Sequence, residues 1–229
     1  MKVAVVLARE GSKRILKKNI KEFCGKPIIS WTISKIIQSN LFDKIIVSTD
    51  SEEIATISRE SGAEVPFMRP KLLADDHATT VDVMHHAVQW LEDQKIHSEV
   101  ICCSYATSVF LNASLLAEGI TKVQEKRWQA SMSVVESNYP LLRSLYFSDD
   151  RGLEMVFPDE LNTRSQDLRK TYHDAAQFYI AEPNFWLSKE VFYSQNTYAV
   201  KHSSSSLIDI DTINDWEIAE LIFKAQNLT

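Results

Sequence analysis

The stretch that decides the fold is K-V-A-V-V-L-A-R-E-G-S-K-R-I-L-K-K-N, residues 2–19. Its first part, Lys2 to Ala8, is a short apolar and β-branched run of the kind that forms a buried strand. Its second part, Ala8 to Asn19, is polar and basic and contains Gly11, one of only five glycines in the chain. Glycine at such a point indicates a sharp turn or a close approach of the backbone to a ligand.

Two further strand-like runs follow the first, at Lys44 to Thr49 and at Glu99 to Ser104. Helical patterns lie between and beside them, at Ile28 to Ser39, Ser51 to Ser61 and Thr80 to Gln94. This alternation predicts an α/β protein with a mainly parallel sheet flanked by helices and right-handed crossovers. Ligands of such sheets bind at the carboxyl ends of the strands.

The pattern changes after about Ala130, where the alternating segments S-M-S-V-V-E and S-L-Y-F-S are joined by polar turns. We interpret this part, residues 131–175, as an antiparallel flap inserted in a single domain that spans residues 1–229. An aromatic strand-like run from Asp174 to Ala181 and an amphipathic helix from Asn214 to Ala225 complete the predicted fold.

The composition of the chain argues against several classes of function. The 229 residues are 45% hydrophobic, and 25 Lys plus Arg stand against 31 Asp plus Glu without a long run of either sign, so we expect no nucleic-acid partner. No apolar stretch approaches the roughly 18 residues of a membrane span, and no cleavage site follows Met1, so we expect a cytoplasmic protein without a membrane partner. Cys24, Cys102 and Cys103 lack disulfide or zinc spacing and are interpreted as structural thiols.

The loop after the first strand is strongly basic. Gly11 stands among five cations: Arg9, Lys13, Arg14, Lys17 and Lys18. Backbone N–H groups and cations together suit a polyphosphate, although a solvated basic loop would have the same composition. The patterns G-x-x-x-x-G-K-S/T and G-x-G-x-x-G are both absent, which argues against P-loop NTPases and dinucleotide dehydrogenases.

A pair of carboxylates lies near the C-terminus in I-D-I-D-T, residues 208–212. In a strand, Asp209 and Asp211 would share one face and could hold a hard cation together with phosphate oxygens. The alternative is that Asp211 caps the following helix and Asp209 is merely exposed.

A series of motifs carries a resemblance over nearly the full chain. In order they are A-R-x-G-S-K-R-I-x-x-K-N-I-K (8–21), F-C-G-K-P (23–27), V-S-T-D (47–50), E-V-P-F-M-R-P (64–70), L-A-D-D (73–76), Y-A-T-S (105–108), N-T-R-S-Q-D-L (162–168), Y-H-D-A-x-Q-F-Y (172–179) and D-I-D-T-x-x-D-W (209–216). They resemble the cytidylyltransferases that activate nonulosonic, sialic-type acids. F-C-G-K-P together with Y-H-D-A-x-Q-F-Y most resembles the branch that acts on pseudaminic acid.

The resemblance implies a Rossmann-like nucleotide-diphospho-sugar transferase fold whose flap mediates homodimerisation. It implies that CTP and a nine-carbon sugar acid give a CMP-sugar and pyrophosphate, with Mg²⁺ as cofactor, and that the product serves surface glycans or flagellin glycosylation. No general base is evident, so the simplest hypothesis is that the metal lowers the pKa of the attacking hydroxyl.

The family motifs also imply site residues. Those expected to contact the nucleotide are Arg9, Ser12, Lys18 and Asn19 at the phosphates and ribose, Arg69 at the cytosine edge, and Thr80. Asp209 and Asp211 match the magnesium carboxylates, and with Arg9 and Lys18 they form the expected catalytic set.

The implied sugar pocket is formed by residues from three parts of the chain. They are Tyr105 and Thr107, then His173, Asp174, Gln177, Phe178 and Tyr179, and finally Arg164 and Gln166 of the flap, which would reach the partner's site. For His173 a structural role is the alternative, and for Arg164 an ion pair within the flap.

Four residues depart from the family pattern: Glu10, Leu16, Val109 and Ala176. We expect Glu10 to face solvent or a cation such as Arg14, and Ala176 to sit where no positive φ is needed, unless the strand has adjusted. The remaining rivals are the same chemistry on legionaminic, N-acetylneuraminic or 3-deoxy-manno-octulosonic acid, a catalytically weak nucleotide-binding protein suggested by Glu10 and Val109, and a glycosyltransferase. The last would need a D-x-D motif in mid-chain.

Overall fold

The structure is a computed structural model that describes residues 1–227. In chain order its elements are β1 (Lys2–Leu7), β2 (Glu22–Phe23), β3 (Lys26–Pro27), α1 (Ile28–Ser39), β4 (Lys44–Ser48), α2 (Glu52–Glu60), α3 (Thr80–Asp93), β5 (Val100–Tyr105), α4 (Ala113–Gln124), β6 (Ala130–Glu136), β7 (Leu145–Ser148), β8 (Gly152–Met155), β9 (Tyr172–Ala181), α5 (Pro183–Leu187), β10 (Thr197–His202) and α6 (Ile213–Asn227). No helix among these residues is long and apolar enough to cross a membrane.

Six strands form the central sheet in the order β10-β6-β9-β5-β1-β4. Strand β1 pairs in parallel with β4 and β5, and β6 pairs in parallel with β10. Strand β9 lies between β5 and β6 and is antiparallel to both. The predicted mainly parallel sheet is therefore confirmed, with one reversed strand near its middle.

Both faces of the sheet are covered, which explains why β1 is apolar at nearly every position. Val3, Val5 and Leu7 pack on one face with residues of α3 and α5, including Met84 and Trp186. Their neighbours Ala4, Val6 and Ala8 pack on the other face with residues of α1, α2 and α4. Because side chains alternate along a strand, one short run joins two hydrophobic clusters and fixes the position of the loop that follows it.

The predicted helices occur at the predicted places. Helix α1 has the predicted bounds, and α2 begins directly after Ser51. Helix α3 begins at Thr80 because Thr79 and Asp82 form a capping box, in which each side chain accepts a hydrogen bond from the other's backbone N–H. This cap places Thr80 at the first turn of α3, next to the end of β1.

The inserted flap is shorter than the sequence indicates, because β6 belongs to the central sheet. The alternating serines of β6 suggest a half-exposed strand, yet Ser131 and Ser133 are buried. Their hydroxyls donate to the carbonyls of Gly119 and Phe178 at 2.9 and 3.2 Å, so they need no water. The segment outside the sheet is residues 137–171, which contains the antiparallel hairpin of β7 and β8.

Strand β9 contains a β-bulge that corrects the expectation for Ala176. The register against β6 shifts between Met132 and Val134, and Ala176 adopts φ 52°, in the left-handed region. Ser133 Oγ accepts the backbone N–H groups of Gln177 and Phe178, both at 3.1 Å. The strand has therefore adjusted, and a residue with a Cβ is held in a conformation that favours glycine.

We expect Ala176→Gly to raise the free energy of unfolding by up to about 1 kcal/mol, because relief of left-handed strain slightly exceeds the added entropy of the unfolded chain. The matched control is Ala175→Gly, at a buried neighbour without a positive φ, which should lose stability. Urea unfolding measures both. Equal destabilisation by the two substitutions would contradict the strain.

Candidate active site

A cavity of about 680 Å³ lies where β1 and β5 end. Leu7 and Ala8 from the end of β1 and Tyr105 and Thr107 from the end of β5 contribute to its wall. Its position agrees with the general rule that parallel sheets bind ligands at the carboxyl ends of their strands. The loop after β1 forms one side of the cavity, and β9 with the segment before α6 forms another.

Most of the residues proposed from the sequence meet in this cavity. Those that line it are Arg9, Ser12, Lys18, Asn19, Arg69, Thr80, Tyr105, Thr107, Asp174, Tyr179, Asp209 and Asp211. Those that do not line it are Arg164, Gln166, His173, Gln177 and Phe178. The nucleotide and metal sets are thus brought together completely, and the sugar set only in part.

The basic loop directs two adjacent lysines to opposite sides. Lys17 adopts φ 51°, and its ammonium pairs with Glu53 at 2.6 Å outside the cavity, where the carboxylate raises the pKa of Lys17. Lys18 turns into the cavity, where its Nζ donates to Ile210 O at 2.7 Å. Asn19 Nδ2 donates to Arg9 O at 2.8 Å and ties the two ends of the loop together.

A carboxylate that the sequence did not single out, Asp76, holds two of the loop's cations. Lys13 and Arg9 both pair with it, the latter at 2.9 Å, and the hydrogen bond and charge of Lys13 are the main reason that the pKa of Asp76 is lowered. Arg9 also donates to the backbone carbonyl of Asp75. The L-A-D-D motif contains Asp76 and was the available signal for it. The motif lies more than 60 residues from the loop, so the sequence alone does not show that the two are in contact.

Three of the four residues that depart from the family pattern do not line the cavity. Glu10 is exposed and does not line the cavity, which confirms that it faces solvent, while Arg14 pairs instead with Asp211 at 2.7 Å. Leu16 is exposed, and Val109 is fully buried in the cluster beneath β2 and β3. None of the three removes a polar group from the cavity.

Arg69 forms part of the cavity wall although it is 5% exposed. Its Nε donates to Ser48 Oγ at 3.1 Å and its Nη2 to Ser48 O, and burial lowers its pKa to about 10, so it stays charged at neutral pH. Within residues 1–227 no protein acceptor lies at Nη1. A rigid guanidinium with a free donor suits recognition of a flat ligand edge.

Asp209 and Asp211 lie in an extended segment before α6 and not in the predicted strand. The helix is capped by reciprocal bonds between Thr212 and Asp215, which excludes the alternative that Asp211 is the cap. Partial burial and the charge of Asp211 raise the pKa of Asp209, and Lys18 opposes this effect. Two carboxylates that repel each other at the cavity wall favour a bound cation.

The described residues contain no cluster of three His, Cys, Asp or Glu side chains arranged to hold a metal ion. Two carboxylates are nevertheless the protein share that Mg²⁺ commonly takes, since substrate phosphates and waters complete its octahedron. The donor set of Asp209 and Asp211 therefore fits Mg²⁺ bound together with a phosphate ligand.

The bulge in β9 determines which of the expected sugar residues reach the cavity. Gln177 is buried, and its side chain bonds the backbones of Phe110 and Ala175, both at 3.1 Å. Phe178 is buried on the opposite face of the sheet near His202. Consecutive strand residues cannot all face one side, so only Tyr179 of the three lines the cavity.

Three other expected sugar residues lie outside the cavity of this chain. His173 is exposed, with Nδ1 3.4 Å from Ser137 Oγ. Arg164 makes the ion pair within the flap that was its alternative, to Asp167 at 2.7 Å, and Gln166 is exposed beside it. The reach of Arg164 and Gln166 into a partner's site stays a prediction.

The cavity wall opposite the basic loop is formed by side chains that contact one another through hydrogen bonds and aromatic rings. Thr80 Oγ1 and Tyr105 Oη are 2.7 Å apart, and the rings of Tyr105 and Tyr179 meet edge to face. Tyr179 Oη donates to Asp174, and so does Tyr193 Oη at 3.1 Å. Tyr193 was missed from the sequence because its partner is 19 residues away and no motif marks it.

Comparisons with known proteins agree with this geometry. A family model described as cytidylyltransferase matches residues 3–224. The pseudaminic acid cytidylyltransferase of Campylobacter jejuni is 34% identical over 225 residues, covering 98% of this chain and 97% of the relative. The CMP-N,N'-diacetyllegionaminic acid synthase of Legionella pneumophila is 32% identical over 234 residues, covering 97% and 96%.

A solved structure of CMP:2-keto-3-deoxy-manno-octonic acid synthetase complexed with CTP has the same fold. Its TM-score is 0.72 at 14% sequence identity, and the match covers 98% of this chain and 99% of that one. The nucleotide-sugar transferase architecture expected from the sequence is therefore confirmed.

The two adjacent lysines allow a direct test of the anion site. Lys18→Met should weaken the binding of metal-free tripolyphosphate roughly 10-fold or more, because a charged hydrogen-bond donor leaves the cavity. Lys17→Met should change it by less than about 2-fold, since that ammonium lies outside. Titration calorimetry measures both, with circular dichroism as the folding control. Similar losses for both variants would contradict the assigned site.

Proposed function

Because the chain belongs to the cytidylyltransferase family, we propose that it transfers a cytidylyl group from CTP to a nonulosonic acid, and that this acid is pseudaminic acid. The observation that carries the proposal is one cavity with two different walls. Cations of the loop after β1 form one wall, and phenols with Asp174 form the other. The first wall suits a triphosphate and the second a sugar.

The reaction needs an attacking hydroxyl, an α-phosphorus and a leaving pyrophosphate in line. The anomeric hydroxyl of the sugar acid forms the new O–P bond while the bond to pyrophosphate breaks. Arg9 and Lys18 line the cavity and would offset the charge that grows on pyrophosphate, while Ser12 and Asn19 would contact the phosphates and ribose. Such transfers depend on positioning and charge neutralisation more than on covalent chemistry.

Magnesium is part of the proposal, held by Asp209 and Asp211. The ion would supply charge neutralisation at the phosphates and a lowered pKa for the attacking hydroxyl. Arg14 and Lys18 pair with Asp211 at 2.7 and 3.5 Å, so the chain itself contributes cations to the balance of charge at this carboxylate.

The choice of pseudaminic acid rests on β9 and on the relatives. The F-C-G-K-P motif forms the β2–β3 hairpin, with Phe23 buried against Trp216 of α6, so it acts in the scaffold. The Y-H-D-A-A-Q-F-Y motif instead places Asp174 and Tyr179 in the cavity wall. The alternative acids are legionaminic and N-acetylneuraminic acid, since a legionaminic relative is almost as similar.

The rival of a catalytically weak nucleotide-binding protein loses its grounds in the structure. It was suggested by Glu10 and Val109, and these residues lie at the surface and in the core. The catalytic set of Arg9, Lys18 and the two carboxylates is intact around the cavity. We therefore favour an active enzyme, working in the cytoplasm where CTP is supplied.

We also propose that two copies associate through the flap. Large apolar side chains are concentrated there and exposed: Tyr139, Leu141, Leu145, Phe147, Leu153 and Leu161. Phe147 and Leu153 are cross-strand partners on β7 and β8 and are 71% and 68% exposed. A contiguous apolar surface of this kind is typical of a protein interface, and the family resemblance points to a second copy.

A charge on this hairpin should separate the two copies. The double variant Phe147→Asp, Leu153→Asp is expected to lower the mass in solution from twice the 26.2 kDa of one chain to a single chain, because desolvating carboxylates at an interface is costly. Light scattering after size-exclusion chromatography measures the mass. Leu72→Asp, at an 85% exposed leucine outside the flap, is the control and should remain a dimer. A wild-type monomer, or a dimeric double variant, would contradict the proposal.

The function itself is tested by pyrophosphate release from CTP and Mg²⁺ with pseudaminic, legionaminic and N-acetylneuraminic acids in separate reactions. Release with pseudaminic acid alone is expected, with none when the sugar is omitted or EDTA is added. Release with another acid only would keep the chemistry and overturn the choice of sugar. Silence with every acid would overturn the proposed function.

A further inference from the structure

Asp174 is the most constrained carboxylate of the cavity. Its Oδ2 accepts hydrogen bonds from the hydroxyls of Tyr179 and Tyr193, and its Oδ1 accepts the backbone N–H of Ala176 at 2.8 Å. The bulge in β9 supplies the third of these bonds. The side chain is therefore fixed in direction before any ligand binds.

Both phenols act as donors towards Asp174. Burial raises the pKa of Tyr179, and burial together with the charge of Asp174 raises the pKa of Tyr193. Both hydroxyls are thus protonated at neutral pH and point their hydrogens at Asp174. The carboxylate in turn offers only acceptor positions to a ligand.

One acceptor position of Asp174 remains open. A carboxylate oxygen accepts about two hydrogen bonds, and Oδ2 already has two partners. Oδ1 has one partner in the described chain, the Ala176 N–H, and Asp174 lines the cavity. A ligand N–H or O–H is the group that completes this site.

Charge decides which end of a sugar acid can face this position. Among the described residues Asp174 accepts hydrogen bonds from two phenols and one backbone N–H, and no cation pairs with it. A carboxylate of the ligand would be repelled by this negative charge, which no cation balances. An uncharged donor, such as an acylamino N–H or a hydroxyl, is the part that fits.

We propose that Tyr193 is a positioning residue, which fixes the direction of the Asp174 carboxylate so that its open position accepts a hydrogen bond from an acylamino N–H or hydroxyl of the sugar acid. The inference rests on the proposed function. It adds the orientation of the substrate, with its carboxylate turned away from β9, and it adds a residue that no motif marks.

Tyr193 is suited to a test because it can be changed without opening the core. It lies on the loop between α5 and β10 and is 78% exposed, whereas Tyr179 is 7% exposed and packs in the central cluster. The chain also offers a matched control. Tyr198 Oη donates to Glu118 at 2.9 Å, a similar tyrosine–carboxylate bond between β10 and α4 that lies outside the cavity.

The experiment compares Asp174→Asn, Tyr193→Phe and Tyr198→Phe in steady-state kinetics with each substrate varied. Asp174→Asn should raise the KM for the sugar acid roughly 5- to 10-fold, because a charge-assisted bond becomes a neutral one. Tyr193→Phe should raise it roughly 3-fold through lost orientation. The KM for CTP, the urea midpoint and all constants of Tyr198→Phe should stay within about 2-fold of wild type.

The outcomes separate this inference from the function on which it rests. An unchanged sugar KM for Tyr193→Phe or for Asp174→Asn, with active wild-type enzyme, overturns the inference and leaves the function standing. Equal rises in both KM values, or a lowered urea midpoint, would show a structural role and overturn it too. Wild-type enzyme that releases no pyrophosphate with any acid overturns both.

Discussion

The hydroxyl of Ser133 holds the reversed strand in the shape on which the cavity depends. It lies inside the sheet and accepts two backbone N–H groups from Gln177 and Phe178 where the ladder between β6 and β9 is interrupted. Without it those donors would be buried and unpaired, at a cost of about 1–3 kcal/mol each. The bulge that it stabilises turns Asp174 and Tyr179 towards the cavity and Phe178 away from it.

Positive charge in the cavity is local and is balanced by the chain itself. The protein carries a net charge of -6, yet the loop after β1 collects cations, and each of the four that line the cavity has an acceptor in the described structure. Asp76 pairs with Arg9 and Lys13, and Asp211 with Arg14 and Lys18. A triphosphate therefore enters a site whose cations are already positioned, and it replaces carboxylate partners instead of bare water.

The sequence predicted those features of the fold that depend on neighbouring residues. The apolar run of β1, the basic loop and helices α1 to α3 were predictable because strand burial, glycine and helical periodicity act within a few residues. The buried serines of β6 and the positive φ of Ala176 were not, since both depend on hydrogen bonds between strands. Asp76 and Tyr193 escaped for the same reason, because each meets its partner only through the fold.

The division of the cavity explains why overall identity separates the possible sugars so poorly. The wall proposed for the nucleotide is built from the loop after β1 and the start of α3. The wall proposed for the sugar is built from β9 and the end of β5, a small share of the chain, and Tyr193 of the loop after α5 bonds its Asp174. Relatives named for pseudaminic and legionaminic acids consequently stand at 34% and 32% identity. Selection among the sugar acids depends on a few side chains. Asp174 with its two phenols is the group whose geometry suits that selection.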